Sequence, residues 1–150
     1  MAPDKERSSS PTILVVDDNQ DTVDILTRLL RRHDMVVLQA YNGPGCLETV
    51  RSQPVDVILL DVMMPKMDGL AVCKELKQIS PTLPIILVTA KDDMTTRAAA
   101  MELGVSEFVV KPVNHIDLLA RIETQLSVRR WEEEADRASE TFEPYKPRPK

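Results

Sequence analysis

The chain has 150 residues, 43% of them hydrophobic and 29% charged, which suits one globular domain with a proper core. Its net charge of −5 at pH 7 argues against non-specific binding of the whole chain to nucleic acid. No apolar run approaches the about 20 residues of a membrane span, and Met1–Ser10 lacks the apolar stretch of a signal peptide. We therefore expect a cytoplasmic protein without membrane insertion. From its charge we expect no direct contact with nucleic acid.

Short apolar runs alternate with helix-length segments along the chain. Strands are predicted near residues 12–16, 35–39, 55–60, 84–88 and 107–110. Helices are predicted near residues 20–33, 43–52, 69–79 and 92–103, and from about residue 115. Runs rich in Val and Ile between polar residues are typical of buried parallel strands. The alternation predicts an α/β fold of doubly wound (βα)5 topology, a three-layer sandwich around a central five-stranded parallel sheet.

The two ends of the chain depart from this alternation. We expect residues 1–11 to form a disordered N-terminal arm and residues 12–127 to form the domain. Within residues 128–150, apolar residues continue at helical spacing, as Val128, Trp131, Ala135, Ala138 and Phe142. They favour a helical extension that could serve as an interaction surface, but two alanines make a weak seam, and a frayed acidic tail is the alternative. Three prolines after residue 143 predict a flexible end for residues 143–150.

Cys46 and Cys73 stand alone within helical patterns and form no C-x-x-C motif. Cysteines of this kind are usually buried thiols in a reducing compartment. We therefore expect neither a disulfide nor a thiolate metal site.

Polar residues whose side chains can bind ligands or react follow four of the predicted strands. Asp17 and Asp18 follow the first strand, Asp61 the third, Thr89 the fourth and Lys111 the fifth. The carboxyl ends of parallel strands gather at one edge of the sheet, where open α/β sheets bind their ligands. The sequence thus predicts that three carboxylates, a hydroxyl and an ammonium converge.

Such a set is suited to a divalent cation and a phosphoryl group. Three carboxylates repel each other unless a counter-charge is present, and Mg²⁺ prefers oxygen ligands. Lys111 could reach a phosphate oxygen as a point charge, and Thr89 could donate its hydroxyl to the same phosphate. Asp61, after the middle strand, is a plausible nucleophile towards phosphorus, since in-line phosphoryl transfer needs mainly positioning and charge neutralisation.

Each of these residues also has an ordinary structural explanation. Asp18 could cap the following helix, and Asp61 could serve the turn before Pro65. A Thr or Lys at a strand end is usually solvated. The ordinary explanation is the better one for each residue alone, but the joint pattern at four strand ends makes it improbable.

With these motifs in order over roughly residues 12–127, the chain resembles the receiver domain of two-component response regulators, which has a flavodoxin-like fold. The matching pieces are Ile13-Leu14-Val15-Val16-Asp17-Asp18, Asp61-Val62-Met63-Met64-Pro65-Lys66-Met67-Asp68-Gly69, Val88-Thr89-Ala90 and Lys111-Pro112. The resemblance implies that Asp61 accepts a phosphoryl group from a histidine kinase or phosphotransfer protein. Such a receiver is a signalling domain and not an enzyme, since it assists only its own phosphorylation and dephosphorylation.

The resemblance also implies the roles of the surrounding residues. Asp18, Asp61 and the Met63 carbonyl would bind Mg²⁺, and Asp17 would help as a ligand or through water. Lys111 would hold the phosphoryl oxygens, and its peptide bond to Pro112 is typically cis in the family. Thr89, with Ala90 beside it, would contact the phosphoryl group.

The family transmits the signal by a change of conformation. Phosphate draws in Thr89, and the aromatic side chain three residues before the lysine, here Phe108, moves into the space vacated. Plain strand packing is an equally good explanation for Phe108, which lacks the hydroxyl of the more usual Tyr. Met63 and Lys91 occupy the positions that affect phosphate lifetime; neither is a carboxylate that could activate water, so we hypothesise a long-lived phosphorylated state.

Residues 91–122 resemble most the receivers of winged-helix transcription factors, which dimerise through the fourth helix, fifth strand and fifth helix. The matching charged positions are Arg97, Glu107, Asp117 and Arg121, and opposite charges on one face suit an isologous contact. The alternative is that they are ordinary solvated charges. Ser106 departs from the class, which usually has an acidic residue there.

Other functions fit the sequence less well. A haloacid-dehalogenase-type phosphatase would need a second carboxylate where Met63 stands, and a dinucleotide-binding domain would need G-x-G-x-x-G where Asp17-Asp18-Asn19-Gln20 stands. The serious alternative is a receiver fold that works as a phosphorylation-independent interaction module, although such proteins usually lose one of the five site residues. The chain would be either a stand-alone receiver or the receiver fragment of a longer signalling protein.

Overall fold

The computed structural model describes residues 10–64, 67–90 and 94–141. Its main sheet contains five parallel strands, β1 Thr12–Val16, β2 Val36–Ala40, β3 Val57–Leu60, β4 Ile85–Thr89 and β5 Glu107–Val110, in the order β2-β1-β3-β4-β5. The helices are α1 Gln20–Arg32, α2 Gly43–Ser52, α3 Gly69–Ile79, α4 Met94–Glu102 and α5 His115–Thr141. The predicted fold class is confirmed. Residues 1–9 of the predicted arm and the predicted flexible end lie outside the described residues.

The sheet is buried on both faces. One face carries Leu14, Ile58 and Leu87, which pack with side chains from α2, α3 and α4. The other carries Val15 and Leu59 among its residues and packs with side chains from α1 and α5. Because successive strand residues point to opposite faces, the consecutive apolar residues 13–16, 57–60 and 85–88 supply both cores at once.

Two local details became clear only in the structure. Strand β3 begins at Val57, two residues after the predicted start near residue 55. Just before it, the Asp56 carboxylate accepts the backbone N–H of Thr12 at 2.8 Å, and the backbone N–H of Asp56 donates to the carbonyl oxygen of Thr12 at 2.8 Å. The helix cap suggested for Asp18 is Asn19, whose side chain accepts the N–H of Thr22 at 3.0 Å. Asp18 therefore has no capping role at α1.

The loop after β3 lies tightly against the start of α3. A Cβ atom on Gly69 would lie 2.5 Å from Cα of Val62, so only glycine fits there. The side chain of Asp68 caps α3 by accepting the N–H of Leu70 at 3.0 Å. This packing holds the segment that directly follows Asp61.

Burial accounts for the chemistry of the two cysteines. It raises the pKa of the Cys46 thiol to about 12 and that of the Cys73 thiol to about 12. Both thiols are therefore neutral at physiological pH, and neither forms a disulfide.

Helix α5 is the longest element, with 27 residues. Leu118, Ile122 and Leu126 are buried against the sheet, and Nη1 of Arg129 donates to the carbonyl oxygen of Val55 at 3.1 Å. The backbone stays helical to Thr141, through the segment for which a frayed tail was the alternative. Among the described residues, no helix is both long and apolar enough to cross a membrane.

Candidate functional site

Two of the predicted carboxylates are brought together by the pairing of β1 with β3. Val16 and Leu60 are register partners at the ends of these strands. The N–H of Asp61 then donates to the carbonyl oxygen of Val16 at 3.0 Å. With Asp18 next along the chain, the three aspartates can each place a carboxylate oxygen within 4.8 Å of the others.

The three aspartates differ in their surroundings. Asp17 and Asp61 are nearly buried, with 3% and 6% of their surface exposed, whereas Asp18 is exposed. One oxygen of Asp17 accepts the N–H of Asn19 at 2.9 Å and the other accepts Nζ of Lys111 at 2.7 Å. Asp17 is thus fixed from two sides, and Asp18 borders the solvent.

Lys111 brings the positive charge to this cluster. Its N–H donates to the carbonyl oxygen of Thr89 at 2.7 Å, and its Nζ lies 2.7 Å from Asp17 and 3.6 Å from Asp61. Burial by itself would lower the pKa of this ammonium, but the hydrogen bond to Asp17 and the charges of Asp61 and Asp17 outweigh burial and raise the pKa. The bond between Lys111 and Pro112 is cis, as in the family that the sequence resembles.

Thr89 completes the row of strand ends. It is the last residue of β4 and is fully buried, while Ala90 directly after it is exposed. Strand β4 lies between β3 and β5, so Thr89 lies between the strands that carry Asp61 and Lys111. The structure therefore brings the five predicted residues to one edge of the sheet.

The donor set fits a hard divalent cation. Among the residues that the structure describes at this edge, three carboxylates and the Lys111 ammonium leave an excess of negative charge, and two of the carboxylates are nearly buried. Carboxylate oxygens are the ligands that Mg²⁺ prefers, and the exposed position of Asp18 leaves room for water or phosphate oxygens. Receiver domains bind Mg²⁺ at an acidic cluster of this kind.

Phe108 has a neighbour that the sequence analysis missed. Its half-buried ring packs against the core beneath α4, and the guanidinium carbon of Arg97 lies 5.0 Å from the ring centroid. This distance is typical of a cation–π contact. Sequence reasoning assigned Arg97 to a partner surface, since no pattern along the chain signals a contact between α4 and β5.

The remaining partner-face charges are paired within one chain. Nε of Arg121 lies 3.0 Å from Asp117, and Nη1 lies 2.5 Å from Glu107. The hydrogen bond to Asp117 and the further bond to Glu107 raise the pKa of Arg121. Their predicted role between two copies would require these pairs to exchange.

The two positions expected to tune phosphate lifetime are described only in part. The backbone of Met63–Met64 pairs antiparallel with Met67–Asp68 in a small hairpin. The side chain of Met63 lies outside the described part of the chain, and so does the whole of Lys91. Their influence on lifetime stays a prediction.

Curated proteins with related sequences are response regulators. Response regulator MprA of Mycobacterium avium is 36% identical over 130 residues, which cover 87% of this chain and 57% of that protein. The alkaline phosphatase synthesis transcriptional regulatory protein PhoP of Bacillus subtilis is 38% identical over 114 residues, 76% of this chain and 48% of that protein. The chain therefore spans about half the length of the curated relatives it matches.

Solved structures of receiver domains match over most of the chain. A CheY-like receiver domain protein from Methanospirillum hungatei superposes with a TM-score of 0.80 at 25% identity, covering 83% of this chain and 99% of that one. The BeF3-activated DrrB receiver domain superposes with a TM-score of 0.72 at 29% identity, covering 79% of this chain and 98% of that one. The family model described as the response regulator receiver domain matches residues 13–123 of the chain. The chain belongs to the response regulator receiver domain family.

Proposed function

We propose that Asp61 is the phosphoacceptor of this receiver and takes a phosphoryl group from a histidine kinase or phosphotransfer protein. The observation that carries the assignment is the position of Asp61, nearly buried at the end of the middle strand and 3.6 Å from Lys111. An oxygen of Asp61 attacks phosphorus, the bond from phosphorus to the donor's imidazole nitrogen breaks, and the leaving imidazole takes a proton from solvent. The product is an acyl phosphate.

Asp17, Asp18 and Asp61, with the Met63 carbonyl, are the groups that would hold Mg²⁺. Bound there, Mg²⁺ would neutralise the carboxylates and the incoming phosphoryl oxygens. Lys111 would then exchange its contacts with Asp17 and Asp61 for contacts with phosphoryl oxygens. Its ammonium suits this exchange because it is a compact charge on a flexible stem.

Phosphate at Asp61 would change the surface formed by α4, β5 and α5. The Thr89 hydroxyl would donate to the phosphoryl group, and Phe108 would move inward as Thr89 withdraws. This movement would alter the contact between Phe108 and Arg97 across α4 and β5. A second copy or another protein would read the change, with the pairs of Arg121 exchanging between chains.

In this proposal the receiver assists only its own phosphorylation and dephosphorylation and acts on no separate substrate. Neither Met63 nor Lys91 offers a carboxylate to activate water, so self-dephosphorylation is expected to be slow. We place the protein in the cytoplasm, where its phosphodonors act. In this proposal the receiver itself does not touch nucleic acid, but the name of the Bacillus relative describes a transcriptional regulatory protein, so DNA binding by a longer protein that contains the receiver is compatible with it.

The assignment of Asp61 is tested by labelling with acetyl phosphate and Mg²⁺. The chain should gain one phosphoryl group, seen by intact mass, and peptide mapping should place it on Asp61. Asp61→Asn keeps the shape of the side chain without the nucleophile and should not be labelled. Asp24→Asn, at an exposed position on α1, is the matched control and should be labelled like the wild type.

A second arm of this experiment tests the metal role of Asp18. Asp18→Asn removes one charge from the cluster, so it should weaken Mg²⁺ binding and slow labelling. Full labelling of Asp61→Asn would refute the assignment of Asp61 as the phosphoacceptor. A wild-type chain that is never labelled would favour the phosphorylation-independent interaction module.

A further inference from the structure

Phe108 lies on an edge strand of the main sheet. Strand β5 comes last in the strand order, so within the described sheet it pairs with β4 alone. Its residues point alternately to the two faces: Glu107 contacts Arg121 and Gln125 of α5, whereas Phe108 packs against the core beneath α4. The half-buried ring of Phe108 thus has a neighbouring strand on one side only.

Helix α4 places an arginine over this ring. Ala100 of α4 is fully buried in the core against which Phe108 packs, and Arg97 lies one turn before Ala100 on the same side of the helix. The guanidinium carbon of Arg97 is 5.0 Å from the centroid of the Phe108 ring, within the distance of a cation–π contact. Since both side chains are half-buried, the contact is partly shielded from water.

A short stretch of β5 connects Phe108 with the phosphoacceptor site. Val110, two residues after Phe108, is the register partner of Thr89. The N–H of the next residue, Lys111, donates to the carbonyl oxygen of Thr89 at 2.7 Å, and its Nζ lies 2.7 Å from Asp17. A displacement of the ring and a change at the site therefore involve the same short segment of backbone.

The contact between Arg97 and Phe108 belongs to one particular arrangement of the site, in which Lys111 is bonded to Asp17 and lies near Asp61. We call it the resting arrangement, because the proposed function has Lys111 leave these carboxylates for phosphoryl oxygens. The proposed function also has Phe108 move inward, which alters its contact with Arg97. A contact that is made in the resting arrangement and lost on phosphorylation favours the resting arrangement.

We propose that Arg97 is a positioning residue for the phosphorylation of Asp61: its contact with Phe108 holds the ring in the resting arrangement and thereby opposes phosphorylation. The inference rests on the proposed function and adds a regulation of the same site. Arg97 acts through the ring and not through its net charge. A variant that removes both the charge and the contact should therefore facilitate phosphorylation, even though the incoming phosphoryl group is an anion.

The size and the sign of the effect follow from the nature of the contact. A cation–π contact between partly exposed groups corresponds to about a two- to fivefold change in an equilibrium constant. Its loss should raise the apparent affinity for a phosphoryl mimic by up to this factor, because the resting arrangement then competes less with the arrangement that binds the mimic. Coulomb attraction alone predicts the opposite sign, since Arg97→Gln removes a positive charge from the neighbourhood of an anion.

Beryllofluoride with Mg²⁺, a mimic of the phosphoryl group on an aspartate, is the probe for the test. Its affinity for the full chain is measured by calorimetric titration in dilute solution, where association between copies contributes little. Arg97→Gln should bind the mimic about two- to fivefold more tightly than the wild type does. Arg51→Gln, which removes the same charge at an exposed position on α2, is the matched control and should bind it like the wild type.

A double-mutant cycle tests whether the effect passes through the ring. In a Phe108→Leu chain, which keeps an apolar side chain without the π face, Arg97→Gln should leave the affinity unchanged. An unchanged or weaker affinity of Arg97→Gln in the otherwise native chain would overturn the inference, and so would an equal gain in the Phe108→Leu chain. A wild-type chain that binds no beryllofluoride would instead overturn the proposed function, and the inference with it.

Discussion

Two clusters of opposite charges use similar groups at similar distances in different surroundings. At the sheet edge, Nζ of Lys111 contacts Asp17 and Asp61, whose side chains are 5% and 7% exposed. On α5, Arg121 contacts Glu107 and Asp117, whose side chains are 24% and 49% exposed. We call them the edge cluster, which includes Asp18, and the α5 cluster.

The two clusters differ in how well water screens and hydrates their charges. Among the described residues of the edge cluster, three carboxylates lie around the Lys111 ammonium. The nearly buried positions of Asp17 and Asp61 leave the repulsion between carboxylates poorly screened, so a cation has strong reason to bind. In the α5 cluster the charges are largely hydrated, and such pairs contribute about 0–1 kcal/mol. A cluster with two nearly buried carboxylates suits binding and chemistry, whereas a hydrated cluster can exchange partners at little cost.

Removal of the edge ammonium should have the largest effect. Lys111→Met removes the ammonium that contacts Asp17 and Asp61, so the free energy of unfolding in metal-free buffer should fall by about 3 kcal/mol. Mg²⁺ should restore a large part of the loss, because it binds only the folded cluster. Urea unfolding measures both values, and Lys74→Met, at an exposed position on α3, should change little. A loss below about 1 kcal/mol would mean that the two clusters do not differ.

The stabilisation from Lys111 should also depend on pH. The pKa of its ammonium is raised above the ordinary value of 10.5, so the folded state holds this proton more tightly than the unfolded state. The stabilisation is then fully present below 10.5 and disappears as the pH rises through the higher folded-state pKa. The difference in unfolding free energy between wild type and Lys111→Met should be constant near neutral pH and shrink in alkaline buffer. A difference that grows with alkaline pH would reverse the sign we assign.

The smallest effect is expected in the α5 cluster. Arg121→Gln removes both ion pairs but leaves Glu107 and Asp117 in contact with water, so the free energy of unfolding should fall by less than about 1 kcal/mol. The loss should nearly vanish in molar salt, where screening acts within about 3 Å. Urea unfolding at low and high salt measures this. An effect as large as that of Lys111→Met would show that the α5 cluster is not hydrated as described.

Much of the fold followed from local patterns. Val- and Ile-rich runs that end in polar residues mark strands such as β1 and β4, because a strand buried on both faces needs apolar side chains at consecutive positions. The gathering of Asp17, Asp61, Thr89 and Lys111 followed as well, since parallel strands end at a common edge. The chemical roles of these residues stay predictions.

Some features were decided by the tertiary structure alone. The sequence by itself determined the alternation of elements and the residues at the strand ends, because both depend on the order of side chains along the chain. It did not determine that Asn19 caps α1, that Arg97 lies over Phe108, or that Arg121 pairs within its own chain. Each of these is a choice among several chemically suitable partners, and the choice depends on which atoms packing brings within a few ångströms.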